Sequence, residues 1–126
     1  MLVAATAWRD SHEIVGWALV FANGAAATWA LAAHYQEPLR RRELWWFTAV
    51  AQLLVFAQAI IGVVILQQEN LEPDDFHLLY GFSMIVAIGI VYSYRQQMEP
   101  YKYLLYAGGG YFLMGLGIRA FVLRPG

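Results

Sequence analysis

The sequence contains no cysteine and few charged residues. Without cysteine the 126-residue chain has no disulfide, thiolate nucleophile, iron–sulfur ligand or cysteine zinc site. Charged residues make up 13% of the chain and hydrophobic residues 60%, against about a quarter and about half in soluble domains. So few charges cannot cover the surface of a small soluble domain, and the composition favours a lipid environment. The net charge of -1 leaves no basic patch for nucleic acid.

Four apolar segments meet the length of about 20 residues that a bilayer core requires. They run from about 12–34, 44–66, 76–94 and 103–123. No basic region precedes the first segment, so we expect a retained helix there rather than a cleaved signal peptide. The short links make consecutive helices antiparallel neighbours. The sequence therefore predicts an all-α fold, an integral membrane four-helix bundle forming one transmembrane domain over residues 1–126.

Basic residues in the links predict the orientation of the bundle. The first link contains Arg40, Arg41 and Arg42, and the third contains Arg95 and Lys102. The second link is acidic and has no basic residue. Because lysine and arginine concentrate in cytoplasmic loops, the first and third links are expected to face the cytoplasm. Both termini are then non-cytoplasmic, in a multi-pass protein that we expect in a bacterial cell membrane.

The chain repeats a short pattern after 65 residues. His12 is followed by Gly16 and an aromatic residue, and His77 is followed by Gly81 and an aromatic residue. The bundle is therefore predicted to consist of two repeated helical hairpins, related by an axis along the membrane normal. That axis would place His12 and His77 at equal height near the outer face.

The first helix also carries a ladder of small residues, Ala18, Ala22, Ala26 and Ala30. Such ladders allow close helix packing, inside the bundle or against another protein. Asn23 lies among them, and we expect it to form an interhelical hydrogen bond.

Two interpretations of the histidine pair remain open. Each histidine can be an interfacial residue that is hydrogen-bonded to a loop or to water. Alternatively, His12 and His77 are the two axial metal ligands of one b-type haem, since neutral imidazole ligates haem iron. Gly16 and Gly81 lie one turn below the ligands on the same helix faces, where a missing side chain would admit the macrocycle.

Two arginines and a third histidine lie near the helix ends. Arg9 and Arg119 are expected at the level of the histidine pair, where they can bind the haem propionates. An equally good interpretation of Arg119 is that it reaches the lipid headgroups or pairs with a nearby acidic residue. His34 lies about 33 Å along the helix from His12, so it cannot share that site and is interpreted as interfacial.

One stretch resembles a known family. Gln58-Ala-Ile-Ile-Gly62-Val-Val-Ile-Leu66, an acidic link with a proline, and then His77-Leu-Leu are similar to one half of the haem A synthase family. The resemblance covers the first three helices and implies that His12 is the first haem ligand and His77 the second. The chain departs from the family by having a single bundle, no cysteine pair, and Glu13 where an arginine commonly follows the histidine.

The function that we expect is a membrane haem b protein for electron transfer or haem handling. A bis-histidine haem has no open coordination position, so a stand-alone enzyme is disfavoured. Its partners would be the lipid bilayer, another membrane protein or a second copy, with a quinone as a candidate. The alternative is a cofactor-free accessory or assembly subunit of a respiratory or photosynthetic complex. A half-synthase working as a homodimer is a third possibility, and few mid-span charges argue against a transporter.

Overall fold

The computed structural model contains four helices and no strand in the part of the chain that it describes, residues 2–69 and 75–122. Within that part, the side chains of residues 2–6, 8, 68, 69, 75–77 and 121 are not described. The helices are α1 (Leu2–Tyr35), α2 (Arg42–Glu69), α3 (Asp75–Tyr94) and α4 (Lys102–Val122). The all-α, four-helix prediction is confirmed. The longest helix, α1, begins ten residues before His12, so it extends well beyond the predicted apolar segment.

The first and third links adopt the same local structure. Each contains a Glu-Pro pair that opens a one-turn 3-10 helix, Glu37–Leu39 in the first link and Glu99–Tyr101 in the third. Proline suits the first turn of a helix because its missing N–H has no intrahelical acceptor there. The Glu-Pro pair thus begins a 3-10 turn in the link of each hairpin.

Helix α1 forms the centre of the packing. It packs against α4 and α2 along most of its length, whereas α3 packs against α4 and makes few contacts with α2. Helices α1 and α3 are therefore diagonal to each other. The bundle is more open between α2 and α3 than along its other sides.

Glycines on α4 let it approach α1 closely. A Cβ added at Gly110 would lie 2.8 Å from the Cβ of Ala27 and 3.0 Å from the carbonyl oxygen of Asn23. Seven residues later in α4, a Cβ added at Gly117 would lie 2.8 Å from Cγ2 of Val20 on α1. Removing side chains at such positions is a common way for helix backbones to come close together.

The alanine ladder and Asn23 contribute to this core. Ala26 and Ala30 are buried, whereas Ala18 is exposed, so the ladder packs inside the bundle only in its second half. The side-chain amide of Asn23 donates to the carbonyl oxygen of Ala51 on α2 over 3.1 Å and to that of Leu19 over 2.8 Å. The predicted interhelical hydrogen bond is confirmed.

The basic residues of the first and third links meet at one end of the bundle. The guanidinium carbon of Arg40 lies 5.2 Å from the ring centre of Tyr103, and Lys102 Nζ lies 5.8 Å from the ring of Trp45. These distances allow cation–π attraction between the basic residues and aromatic residues in the first turns of α2 and α4. As expected for antiparallel neighbours, the two basic links share one end.

Two helices are long and apolar enough to cross a membrane, judged by length and composition. They are the segments Arg9–Tyr35, with a mean hydropathy of 1.5, and Arg42–Gln67, with 2.5. Only 11% of the most apolar window of the second segment is buried within the chain, against 44% in the first. The exposed side of α2 is a continuous apolar stripe that includes Trp46, Val50, Leu53, Ile60 and Val63.

Candidate functional site

His12 and Gly16 lie on the side of α1 that faces the other helices. Gly16 is buried, and the buried residues Leu19, Val20 and Asn23 continue the same side toward the basic end. His12 is partly buried, one turn before Gly16. The spacing of four residues that suggested a shared helix face therefore does place both residues toward the interior.

Helix α2 holds His12 through two residues one turn apart. The side-chain amide of Gln58 donates to the main-chain carbonyl oxygen of His12 over 2.7 Å. A Cβ added at Gly62 would lie 3.3 Å from Cε1 of the imidazole, so the ring rests against that glycine. The Nδ1 atom of the ring is buried at this contact. His12 is thus fixed in both its main chain and its ring by α2.

His77 lies in the first turn of α3, and its side chain is outside the described part of the structure. By helical periodicity, positions 77, 81, 84, 88 and 91 follow one side of α3. On that side Met84, Ile88 and Val91 are buried. A Cβ added at Gly81 would meet nothing within 4 Å. The backbone therefore places His77 and Gly81 on the inward side of the helix diagonal to α1, with open space at the glycine.

The two arginines are both exposed near the same end of the bundle. Arg119 Nε lies 3.4 Å from the hydroxyl oxygen of Tyr80, which is three residues after His77 on α3. Arg119 thus contacts a residue in the second turn of α3. Arg9 lies on α1 three residues before His12.

His34 lies at the opposite, basic end. Its ring makes an edge contact with the ring of Tyr35 at 4.8 Å, and its carbonyl oxygen accepts a hydrogen bond from Arg40. Arg40 also donates to the carbonyl of Ala33 over 2.7 Å, so it caps the end of α1. The placement of His34 far from His12 agrees with the expectation from the sequence.

The residues near His12 and His77 fit a haem in part. A flat macrocycle between α1 and α3 would need inward faces on these two diagonal helices and space between them. The few contacts between α2 and α3 and the open space at Gly81 provide part of that space. However, the imidazole of His12 contacts Gly62 on α2, so ligation across the diagonal requires the ring to turn toward α3. The described residues contain no group of three or more histidine, cysteine or acidic side chains that could hold a metal ion by themselves.

Gln58 and Gly62 were not among the predicted site residues. Their spacing of four residues places them on one face of α2, which was a usable signal. What the sequence alone did not indicate is that this face is turned to His12. Comparison with protein-family models, curated proteins and solved structures gives no significant match for the chain.

Proposed function

We propose that the chain is a multi-pass membrane protein whose four helices all cross the bilayer. The observation that supports this most strongly is the exposure of α2, whose apolar window has a mean hydropathy of 2.5 but is only 11% buried. The core helix of a soluble protein buries its apolar side chains. A helix that is apolar all round and unburied needs lipid around it.

The distribution of charge supports the same proposal. No Asp, Glu, Lys or Arg occurs in residues 14–36, 44–68, 76–94 or 103–118, so a charge-free band crosses all four helices. Exposed aromatic residues gather at the basic end, among them Tyr35, Trp46, Tyr92 and Tyr101. Tryptophan and tyrosine favour the membrane–water interface, and basic loops favour the cytoplasm. We therefore propose that the basic end is cytoplasmic and that both termini lie on the other side.

Within this bundle we propose one b-type haem near the non-cytoplasmic face, held between His12 and His77. The position of His12 on the inward side of α1, partly buried and with its Nδ1 atom buried, is the observation that supports it. Gly16 and Gly81 would allow the macrocycle to approach the backbones of α1 and α3. Arg9 and Arg119 would bind the propionates. His12 and His77 would hold the haem, which would supply one-electron chemistry.

A cofactor-free accessory subunit is the second candidate. Its support is the contact of α2 with His12, since Gln58 and Gly62 already give the histidine a structural role. In that case, His12 orders the end of the α1–α2 hairpin, and the exposed apolar stripe of α2 packs against another membrane protein. Both candidates share the transmembrane bundle and differ only at the histidines.

An absorption spectrum separates the two candidates. The protein should be purified in mild detergent from membranes of cells supplied with a haem precursor. A haem protein with two histidine ligands gives an intense Soret band and sharp α and β bands after reduction. A spectrum without these bands, from protein that is folded by circular dichroism, would favour the accessory subunit.

A further inference from the structure

A groove runs along the seam of α1 and α4, away from the two histidines. Its volume is about 700 Å³, within the range of small-molecule sites. It is lined by the small residues Gly24, Ala25 and Ala32 of α1 and by the aromatic residues Trp29 and Tyr111. No lining residue is charged. The groove opens sideways, toward the lipid in the membrane orientation proposed above.

One polar feature interrupts the apolar lining. The hydroxyl oxygens of Thr28 and Tyr111 lie 2.7 Å apart, and Thr28 Oγ1 also donates to the carbonyl oxygen of Gly24 over 2.8 Å. Because threonine has one hydroxyl proton, that proton is used in the bond to Gly24. Tyr111 is then the donor in its bond with Thr28. The phenol oxygen keeps free lone pairs, so it can accept a hydrogen bond but has no proton left to donate.

We propose that this groove binds the reduced form of a lipid-soluble quinone, a quinol. The neutral lining matches a neutral ligand and offers nothing to a phospholipid phosphate. The aromatic side chains of Trp29 and Phe21 suit a ring, and the lateral opening suits an apolar tail. Tyr111 is an exposed residue, and its phenol oxygen can accept a hydrogen bond from a quinol hydroxyl, whereas the oxidised quinone has no hydroxyl proton to donate. The inference rests on the proposed membrane insertion but not on the proposed haem.

The position of the hydroxyl pair adds to this argument. Thr28 lies seven residues before Tyr35, about 10 Å along α1 from its basic end, and so within the charge-free band. Water is absent at that depth in the proposed orientation, so the remaining lone pair of the Tyr111 phenol oxygen has no water from which to accept a hydrogen bond. A bound quinol hydroxyl would complete its hydrogen bonding.

Binding of decylubiquinol and decylubiquinone to the purified protein in nanodiscs tests the proposal. We expect the quinol to bind about two- to tenfold more tightly than the quinone, the value of one hydrogen bond. The double variant T28V/Y111F removes both hydroxyls and keeps the shape, so it should bind the two forms equally. Equal binding of both forms by the unaltered protein would overturn the proposal.

A second pair of variants tests the location. Ala25 is an exposed residue of the groove, and Ala49 is an exposed alanine on α2, outside the groove. Ala25→Leu should fill the groove and weaken quinol binding about tenfold or more, whereas Ala49→Leu should leave it unchanged. Equal effects of the two changes on quinol binding would contradict the assignment.

A second outcome would also contradict it. If the unaltered protein is a dimer, and Ala25→Leu removes the dimer but leaves quinol binding normal, the groove is a helix–helix interface. Quinol binding without a haem spectrum would leave this proposal standing while the haem proposal fails.

Discussion

Gln58 of α2 donates a hydrogen bond of 2.7 Å to the main-chain carbonyl of His12 on α1, and one turn later Gly62 contacts the imidazole ring of the same histidine. The two contacts join α1 and α2 at the level of the proposed haem. The other amide atom of Gln58, Oε1, is buried and has no hydrogen-bond partner among the described residues.

Because one amide atom of Gln58 forms a hydrogen bond and the other is buried without one, we predict that the side chain contributes little to the free energy of unfolding. Gln58→Met keeps the length of the side chain, loses one hydrogen bond worth about 0.5–1.5 kcal/mol, and removes an unsatisfied buried acceptor that costs about 1–3 kcal/mol. We expect the free energy of unfolding, measured by titration with sodium dodecyl sulfate in mixed micelles, to stay equal or to rise. Asn23→Ala is the contrasting variant: it loses two bonds from a side chain that is 2% exposed, so its stability should fall. A large loss in Gln58→Met would show that its amide is fully satisfied.

Two glycines on α4 should respond oppositely to alanine. At Gly110 the new Cβ would lie 2.8 Å from that of Ala27, whereas at Gly115 it would meet nothing within 4 Å. Gly110→Ala forces α1 and α4 apart, which costs about 1–3 kcal/mol as other overpacked cores do. Gly115→Ala gains about 1 kcal/mol from helix propensity. Thermal unfolding followed by circular dichroism gives both values, and equal stabilities of the two variants would contradict the close packing of α1 on α4.

Gly81→Leu should reduce haem content without disturbing the fold. The position faces open space, so the side chain can be added, but it would occupy the slot proposed for the macrocycle. Gly108→Leu is a matched control because Gly108 also faces open space and lies on α4. The ratio of Soret to protein absorbance should fall in the first variant alone. Haem retention in Gly81→Leu would limit that glycine to a packing role.

Fusions of a reporter that is active only in the cytoplasm test the orientation. A fusion after Arg42, at the basic end, should be active, and a fusion after Gly126 should be silent. The reason is the concentration of basic residues in the first and third links, which meet at one end of the bundle. The opposite result would reverse the protein in the membrane and place the two histidines at the cytoplasmic side.

The helices were predictable because each apolar segment is long and is bounded by a polar link. The role of Asn23 was also predictable, since a lone amide in an apolar helix needs a partner that another helix can supply. The extension of α1 back to Leu2 was not, because residues 2–11 are mixed in character and carry no apolar periodicity. The presence of a helix follows from its local sequence pattern, whereas the residue at which the helix ends depends on its contacts with the rest of the protein.

The candidate site was only partly predictable. The four-residue spacing placed His12 and Gly16 on one inward face, and the repeat indicated the corresponding face of α3. The contact of His12 with Gln58 and Gly62 depends on the rotation of α2, which its sequence does not define because the helix is apolar on every side. The groove beside Thr28 depends on how closely the glycines let α4 approach α1, a property of tertiary packing.

The most direct measurement is the reduced absorption spectrum of the purified protein and of three histidine variants. The unaltered protein should show a low-spin spectrum with two histidine ligands. Both His12→Ala and His77→Ala should lose it, because in the proposed site each residue would ligate the iron. His34→Ala should keep it, because His34 lies at the opposite end of α1 beside Tyr35. The absence of haem from folded protein, or a spectrum that survives either the His12→Ala or the His77→Ala change, would contradict the account.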